Sequence, residues 1–265
     1  MSSYPNVPLV NSMHPEKILG MGRTGVVIRQ DDIAVKLPLR WSTSDEFEVQ
    51  SNIEALQHEQ AIYLQLGKSR HIVEFLGSSE TSTQLSLMEN GDLRRYLSQH
   101  KASDQLQLSW FREMARGLAY IHDHRIIVAD IASRNFLLDS NLSIKFCDFT
   151  ESTKLPRDTY MKTANDGGYT VQTDIGQLGA VIYEIVTGQR CEFDIWKDVP
   201  GEATRGSWPR RERLPSTRNV WLGAIIEKCW TQGGFRNAYK LLGEVEAVEV
   251  ENGSSSQRES PEPHE

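Results

Sequence analysis

Three side chains near the middle of the chain have the types and spacing to do chemistry together. Asp130 is followed five residues later by Asn135, and Asp148 comes 18 residues after Asp130. Between them FLLD and IKFC read as a hairpin, which puts the two acidic positions on adjacent loops. Phosphoryl transfer requires such a set: a carboxylate that orients a hydroxyl and accepts its proton, with an amide oxygen and a second carboxylate to hold magnesium. Upstream, Lys36 closes the apolar run Ala34-Val35-Lys36. An ammonium there is costly unless paired, and Glu59 is the candidate partner. The alternative is a strand lysine that faces solvent.

Before Lys36 stands Gly20-Met-Gly22-Arg-Thr-Gly25-Val-Val27. Its glycines allow a backbone to lie close over phosphates, although the same letters occur in dinucleotide-binding folds and in plain turns. A dinucleotide fold needs a helix after the glycines. Here the strand-like GVVIRQ follows, then IAVK, so that reading is disfavoured.

The elements that must carry these residues fall into two groups. KILG, GVVIRQ and IAVKLP are predicted strands. A helix is expected from about Asn52 to Leu66, with Gly67 as its cap, followed by strands in HIVEFLGSS and TQLSLM. After Asn90-Gly91-Asp92 the pattern turns helical: LRRYLSQH, then Leu108 to His122 with one apolar stripe, then Asp174 to Thr187, Val220 to Trp230 and Phe235 to Val248. The fold class is therefore α+β and bilobal, with a small β-rich lobe over about 14–88 and a mainly helical lobe over about 92–249. Residues 1–13 read as a loose leader. Residues 250–265, rich in Ser, Glu and Pro, read as a disordered tail.

Bulk properties narrow the class. A chain of 265 residues with 38% hydrophobic content can pack a sizeable core. A net charge of −7 argues against a nucleic acid as the main partner, and Arg210, Arg211 and Arg213 read as a solvated loop. No run reaches the roughly 18 to 20 apolar residues of a membrane helix. Three cysteines without a CxxC pair indicate neither a disulfide framework nor a zinc site. An intracellular, cytoplasmic, monomeric protein is expected.

In GMGRTGV, IAVK, Glu59, RHIVEFLG, ENGDLRRYL, ARGLAYIH, DIASRN, DF, TDIGQLGAVIYEIVTG and EKCW, taken in order, the chain resembles the eukaryotic protein kinase family. Its compact small lobe and GRTG loop look most like the small divergent kinase-like proteins of fungi. The resemblance covers about residues 16–248 and implies ATP and magnesium as cofactors. It implies that Lys36 binds the nucleotide phosphates and is held by Glu59, that Asp130 is the catalytic carboxylate, and that Asn135 and Asp148 ligate the metal. Arg134 then stands near the transferred phosphate. Gly20, Gly22, Gly25, Val27 and Ala34 line the nucleotide site, and Leu87, Met88 and Glu89, in the 87–90 segment, meet adenine. Asp174 braces the catalytic loop.

The sequence also departs from that family. Val128-Ala129 replaces the usual His-Arg before Asp130, which predicts preserved packing but no switching through an arginine-bound phosphate. Thr150 replaces the glycine of Asp-Phe-Gly, restricting positive φ there. Only 26 residues lie from Asp148 to Asp174, with no Ala-Pro-Glu, which shortens the shelf for a peptide substrate. The implied activity is a protein kinase, with Ser or Thr favoured as acceptor and Tyr not excluded. A pseudokinase acting as a nucleotide-binding or scaffolding module, and a small-molecule kinase, are the alternatives. Cys147 reads as a small buried hydrophobe rather than a reactive thiol.

Overall fold

The computed structural model describes Tyr4 and residues 6–249. Its first half is a five-stranded antiparallel sheet of β1 (Ile18–Met21), β2 (Gly25–Gln30), β3 (Ile33–Pro38), β4 (Phe75–Ser79) and β5 (Ser82–Ser86), in the order β1-β2-β3-β5-β4. Val26, Ala34, Val35, Leu37 and Leu85 are buried in it. One helix, α1 (Glu46–Leu66), crosses the sheet. Gln60 fastens it by donating to Ser79 O, Ser82 O and Thr83 Oγ1, each at 3.1 Å. This helix begins six residues before the predicted start because Asp45 caps it, accepting from Glu48 N at 2.7 Å. Gly67 ends it at φ 62°.

Residues 6–13 are not loose. Val7 packs with Val49 and Ile53 of α1, Val10 joins the Val26, Val35 and Leu37 cluster, and Arg40 donates to Tyr4 O and Val7 O at 2.7 Å. Two isolated valines carry no periodic signal, which is why this packing was not legible. The expected tail lies outside the described residues from 250 onward.

The second half is helical: α2 (Leu93–Gln99), α3 (Asp104–Asp123), α4 (Val171–Thr187), α5 (Gly223–Trp230) and α6 (Ala238–Glu246). The stripe Leu108, Phe111, Met114, Ala115, Leu118 and Ile121 is buried along α3, facing α4 and α6. Helix α4 starts at Val171 instead of Asp174 because Thr170 forms a capping box with Thr173. Helix α5 starts at Gly223 instead of Val220, since Leu222 before it adopts φ 59°. Helix α6 is shorter at both ends than 235–248, capped by Asn237. Two small hairpin-like pairs complete the fold: β7 (Phe136–Leu138) with β8 (Ile144–Phe146), and β6 (Ile126–Ile127) with β9 (Thr153–Lys154). Arg211 and Arg213 are not merely solvated, for Arg211 pairs with Glu227 and lies over the Trp230 ring, and Arg213 pairs with Asp198. Among the described residues no helix is long and apolar enough to cross a membrane.

Candidate active site

Lys36 sits on β3 opposite Val27 of β2 and is 8% exposed. Its Nζ reaches Glu59 Oε2 at 2.7 Å, Asp148 Oδ1 at 2.9 Å and Thr150 Oγ1 at 3.1 Å. Burial alone would lower its pKa, yet the Glu59 and Asp148 charges outweigh that and raise it above the usual lysine value. The pairing therefore favours the charged ammonium. Glu59, 1% exposed, also accepts from Phe149 N at 3.1 Å, so one carboxylate ties the lysine of the sheet to the segment that carries Asp148. Phe149 is fully buried, and the ring of Tyr63 from α1 meets it edge-on at 5.1 Å.

Asp130 lies between β6 and β7. Its two carboxylate oxygens accept from Arg134 Nη2 at 2.6 Å each, and Oδ2 also accepts from Asn135 Nδ2 at 2.9 Å. Asn135 makes a further 2.9 Å bond to Asp130 O, so the amide oxygen of this buried side chain is left over for another partner. The backbone feeding Asp130 is bent: Ala129 has φ 65°, a left-handed conformation that an alanine adopts only under constraint. The constraint is Asp174 on α4, fully buried, which accepts from Val128 N at 2.8 Å, Ala129 N at 2.9 Å and His122 Nε2 at 2.9 Å. Gln177, one turn on, donates to Ala129 O at 2.7 Å and accepts from Ile131 N at 3.1 Å. Val128 and Ala129 are both buried. The loop is thus held through its backbone by side chains of α4.

Asp148 follows β8 with φ 60°. Burial pushes its carboxyl up, but the Lys36 charge and hydrogen bonds from Lys36 and Thr150 prevail and hold it below the ordinary carboxylate range. The Thr150 hydroxyl, 2.8 Å from Asp148 Oδ1, is a member of this network that sequence reasoning missed by treating the residue only as a lost glycine. Asp174's helper Gln177 was missed too, since a glutamine in a helix gives no signal of its own. Cys147 is half-buried instead of fully buried, and its thiol is pushed well above its normal pKa, first by burial and then by Asp148, which disfavours the reactive thiolate.

The remaining expected positions lie on and between β1, β2 and β3 and just after β5. Gly25 is buried where a Cβ would lie 3.2 Å from Lys36 Cε, so it lets the lysine stem pass. At Gly20 an added Cβ would meet nothing within 4 Å, and at Gly22 only Gly25 O at 3.8 Å. Neither position has a positive φ, so the fold itself does not require glycine there, and the open space over them suits a ligand. Ala34, opposite Leu85, and the partly buried Val27 form apolar wall. Met88 is buried and its carbonyl accepts from Gly91 N at 3.1 Å, while its N–H has no partner among the described residues. Leu87 is half-buried and the Glu89 side chain is exposed. The donor types are compatible with a nucleotide and magnesium: the Asp148 carboxylate and the Asn135 amide oxygen are the hard oxygen donors that would hold the ion.

The family model for protein tyrosine and serine/threonine kinases matches residues 14–236. The chain is 28% identical over 246 residues to the human receptor tyrosine-protein kinase erbB-4, covering 81% of this chain and 18% of that protein. It is 28% identical over 257 residues to the serine/threonine-protein kinase CTR1 of Arabidopsis thaliana, covering 85% of this chain and 30% of that one. To the receptor tyrosine-protein kinase erbB-2 of Mesocricetus auratus it is 30% identical over 248 residues, covering 81% and 19%. The chain thus spans less than a third of the length of these relatives.

Proposed function

The chain belongs to the protein tyrosine and serine/threonine kinase family, and from that premise we propose that it is an active kinase that transfers the γ-phosphoryl group of ATP to a protein hydroxyl, Ser or Thr foremost and Tyr also. The observation that carries this reading is the buried Lys36, clamped between Glu59 at 2.7 Å and Asp148 at 2.9 Å. For the fold alone, replacing the whole buried pair by apolar side chains is often neutral or stabilising, so its retention favours a site that uses the ammonium's charge. In this reading Lys36 holds the nucleotide phosphates, and Met88 N–H offers a donor to adenine. Asn135 and Asp148 hold magnesium, which when bound neutralises charge on the phosphates.

Asp130 orients the acceptor hydroxyl and takes its proton. A carboxylate has about four acceptor positions; Arg134 and Asn135 use three, leaving one on Oδ1 for the substrate. Arg134 keeps its charge beside the reacting oxygens and is suited to steady the transferred group. The three bonds that Asp130 already accepts also favour a second reading, a nucleotide-binding module without transfer. Incubation of the full chain with magnesium and γ-labelled ATP separates them. Transfer to the chain itself or to a generic protein substrate, abolished in Asp130→Asn, supports the kinase; ATP binding without transfer supports the module; transfer unchanged in Asp130→Asn refutes the assigned base.

A further inference from the structure

The glycine-rich turn is tied to the segment after Asp148 by a contact that the family motifs do not contain. Arg23, at the tip of the turn, pairs with Glu151, the residue after Thr150. The turn itself is tight, with Gly22 N donating to Gly25 O at 2.8 Å and Leu39 N to Thr24 O at 2.8 Å. Bonds and chain make a ring: Arg23 pairs with Glu151, whose neighbours Thr150 and Asp148 bond Lys36 on β3, and just past β3 Leu39 N returns to Thr24 O of the turn. The ring joins the glycine-rich turn to Lys36, read above as the residue that holds a polyphosphate.

Two charges on that ring respond oppositely to such a ligand. The guanidinium is attracted to phosphate oxygens and can grip two of them at once. The Glu151 carboxylate is repelled by them. The Arg23 side chain is 79% exposed and that of Glu151 49%, and an exposed ion pair shifts an equilibrium by less than about tenfold. A nearby group of higher negative charge is enough to break it. We infer that Arg23 is a phosphate ligand held in reserve by Glu151, released to the terminal phosphate of a nucleoside triphosphate when the nucleotide enters. The inference rests on the reading of the cleft as a nucleotide site and adds to it a residue that distinguishes triphosphate from diphosphate.

The contrast in exposure supports the choice of the terminal phosphate. Lys36 is buried beside Glu59 of α1, whereas Arg23 and Glu151 are open to solvent. In this reading a nucleotide anchored at Met88 and Lys36 presents its last phosphate outward, toward that exposed pair. Thr24, the next residue of the turn, keeps its carbonyl tied to Leu39 N, so the turn need not unfold for the Arg23 side chain to swing.

The test is equilibrium binding of ATP, ADP and AMP, with magnesium, to the full chain by isothermal titration calorimetry, for wild type, Arg23→Ala, Glu151→Gln and the double variant. Arg23→Ala is expected to weaken ATP by about five- to tenfold and to leave ADP and AMP within about twofold. Glu151→Gln is expected to tighten ATP by about threefold, and this gain should vanish in the double variant, because with Arg23 absent there is nothing to release. Both side chains are exposed, so urea midpoints should match wild type, which removes misfolding as an explanation. Equal loss of ATP and ADP in Arg23→Ala, no loss, or a Glu151→Gln gain that persists without Arg23 would each overturn the inference while leaving the nucleotide site intact. Absence of nucleotide binding by wild type would instead refute the nucleotide site, and the inference with it.

Discussion

Restoring the family's usual arginine at position 129 should damage this protein. Ala129 is 5% exposed and its methyl group lies in a small apolar cluster with Ile127 and Ala164, backed by Leu155, Met161 and Tyr169. Ala164, Leu155, Met161 and Tyr169 belong to the segment between Asp148 and α4, so the cluster ties that segment to the catalytic loop. Where other kinases hold the segment by an arginine bound to a phosphate, here the tether is apolar. A guanidinium introduced there enters apolar surroundings, and Asp174, whose carboxylate meets the Ala129 N–H, already accepts three hydrogen bonds. Burying an unpaired charge costs several kcal/mol even after relaxation, and overpacking costs about 1–3 kcal/mol more. The long stem lets the charge reach for solvent and recovers part of this.

We therefore expect Ala129→Arg to destabilise the fold by about 2–4 kcal/mol, which for a domain of this size lowers the melting temperature by roughly 5–12 °C. The segment should also become more open to trypsin at Lys154, Arg157 and Lys162, and phosphoryl transfer should fall. Ala129→Gly is the control. Its relief of the left-handed φ and its loss of a buried methyl oppose each other, leaving a net change within about 0.5 kcal/mol. Urea unfolding, a tryptic time course and initial rates read all three. If Ala129→Arg unfolds and digests like wild type, the apolar tether is not what holds the segment, and the reasoning fails.

Other perturbations probe the network around Lys36. Lys36→Met leaves Glu59 as a buried carboxylate without its cation and should cost about 3 kcal/mol. Adding Glu59→Gln should restore much of that, and a denaturant double-mutant cycle that finds the two changes additive contradicts the pairing. Thr150→Val keeps the shape but removes the hydroxyl that bonds Asp148 at 2.8 Å and Lys36 at 3.1 Å, for an expected loss of about 1 kcal/mol by urea titration. His71 gives a pH signature: burial first, then Arg70, Arg116 and Lys145, lower its pKa from 6.5 to about 4. Between those values the unfolded chain binds more protons than the folded one, so stability is full above pH 6.5 and declines as pH falls toward 4. Since the ring is only half-buried, the decline is on the order of 1 kcal/mol after solvent screening, and His71→Gln should flatten the unfolding profile across that window.

Much of the architecture was legible because alternation and helical spacing are direct consequences of a buried face. The strands around Lys36, the α3 stripe and the cap at Gly67 follow from local pattern. Partnering of Lys36 with Glu59 was legible for a different reason, the cost of an unpaired ammonium in an apolar run. The unread parts are those where a residue acts through a fold-level approach. Arg23 and Glu151 are 128 positions apart, and Gln177 binds the loop at Ala129 from 48 positions away. Neither separation leaves a trace in local composition. Thr150 was read through what glycine would have permitted, whereas its function in the structure comes from an oxygen that glycine lacks.

The altered motif before Asp130 then has a physical explanation. A side chain at 128 or 129 could aim Asp130 only if the loop's path depended on it, and that path is set elsewhere. Asp174 takes the N–H groups of Val128 and Ala129, Gln177 takes Ala129 O and Ile131 N, and Ser152 donates to Val128 O at 3.0 Å. Five backbone groups are thereby fixed by three side chains from outside the loop. The His and Arg of other kinases are free to change without moving the carboxylate, provided that Asp174 stays. Asp174→Asn is accordingly the substitution that should uncouple geometry from chemistry. An amide oxygen can accept two of the three bonds at most comfortably, its NH₂ opposes an N–H, and loss of charge-assisted bonds from a fully buried site costs about 3–5 kcal/mol. Phosphoryl transfer should fall by far more than in Val128→Ala at matched folded fraction. An equal fall in both would place the control of Asp130 in the side chains of the loop after all.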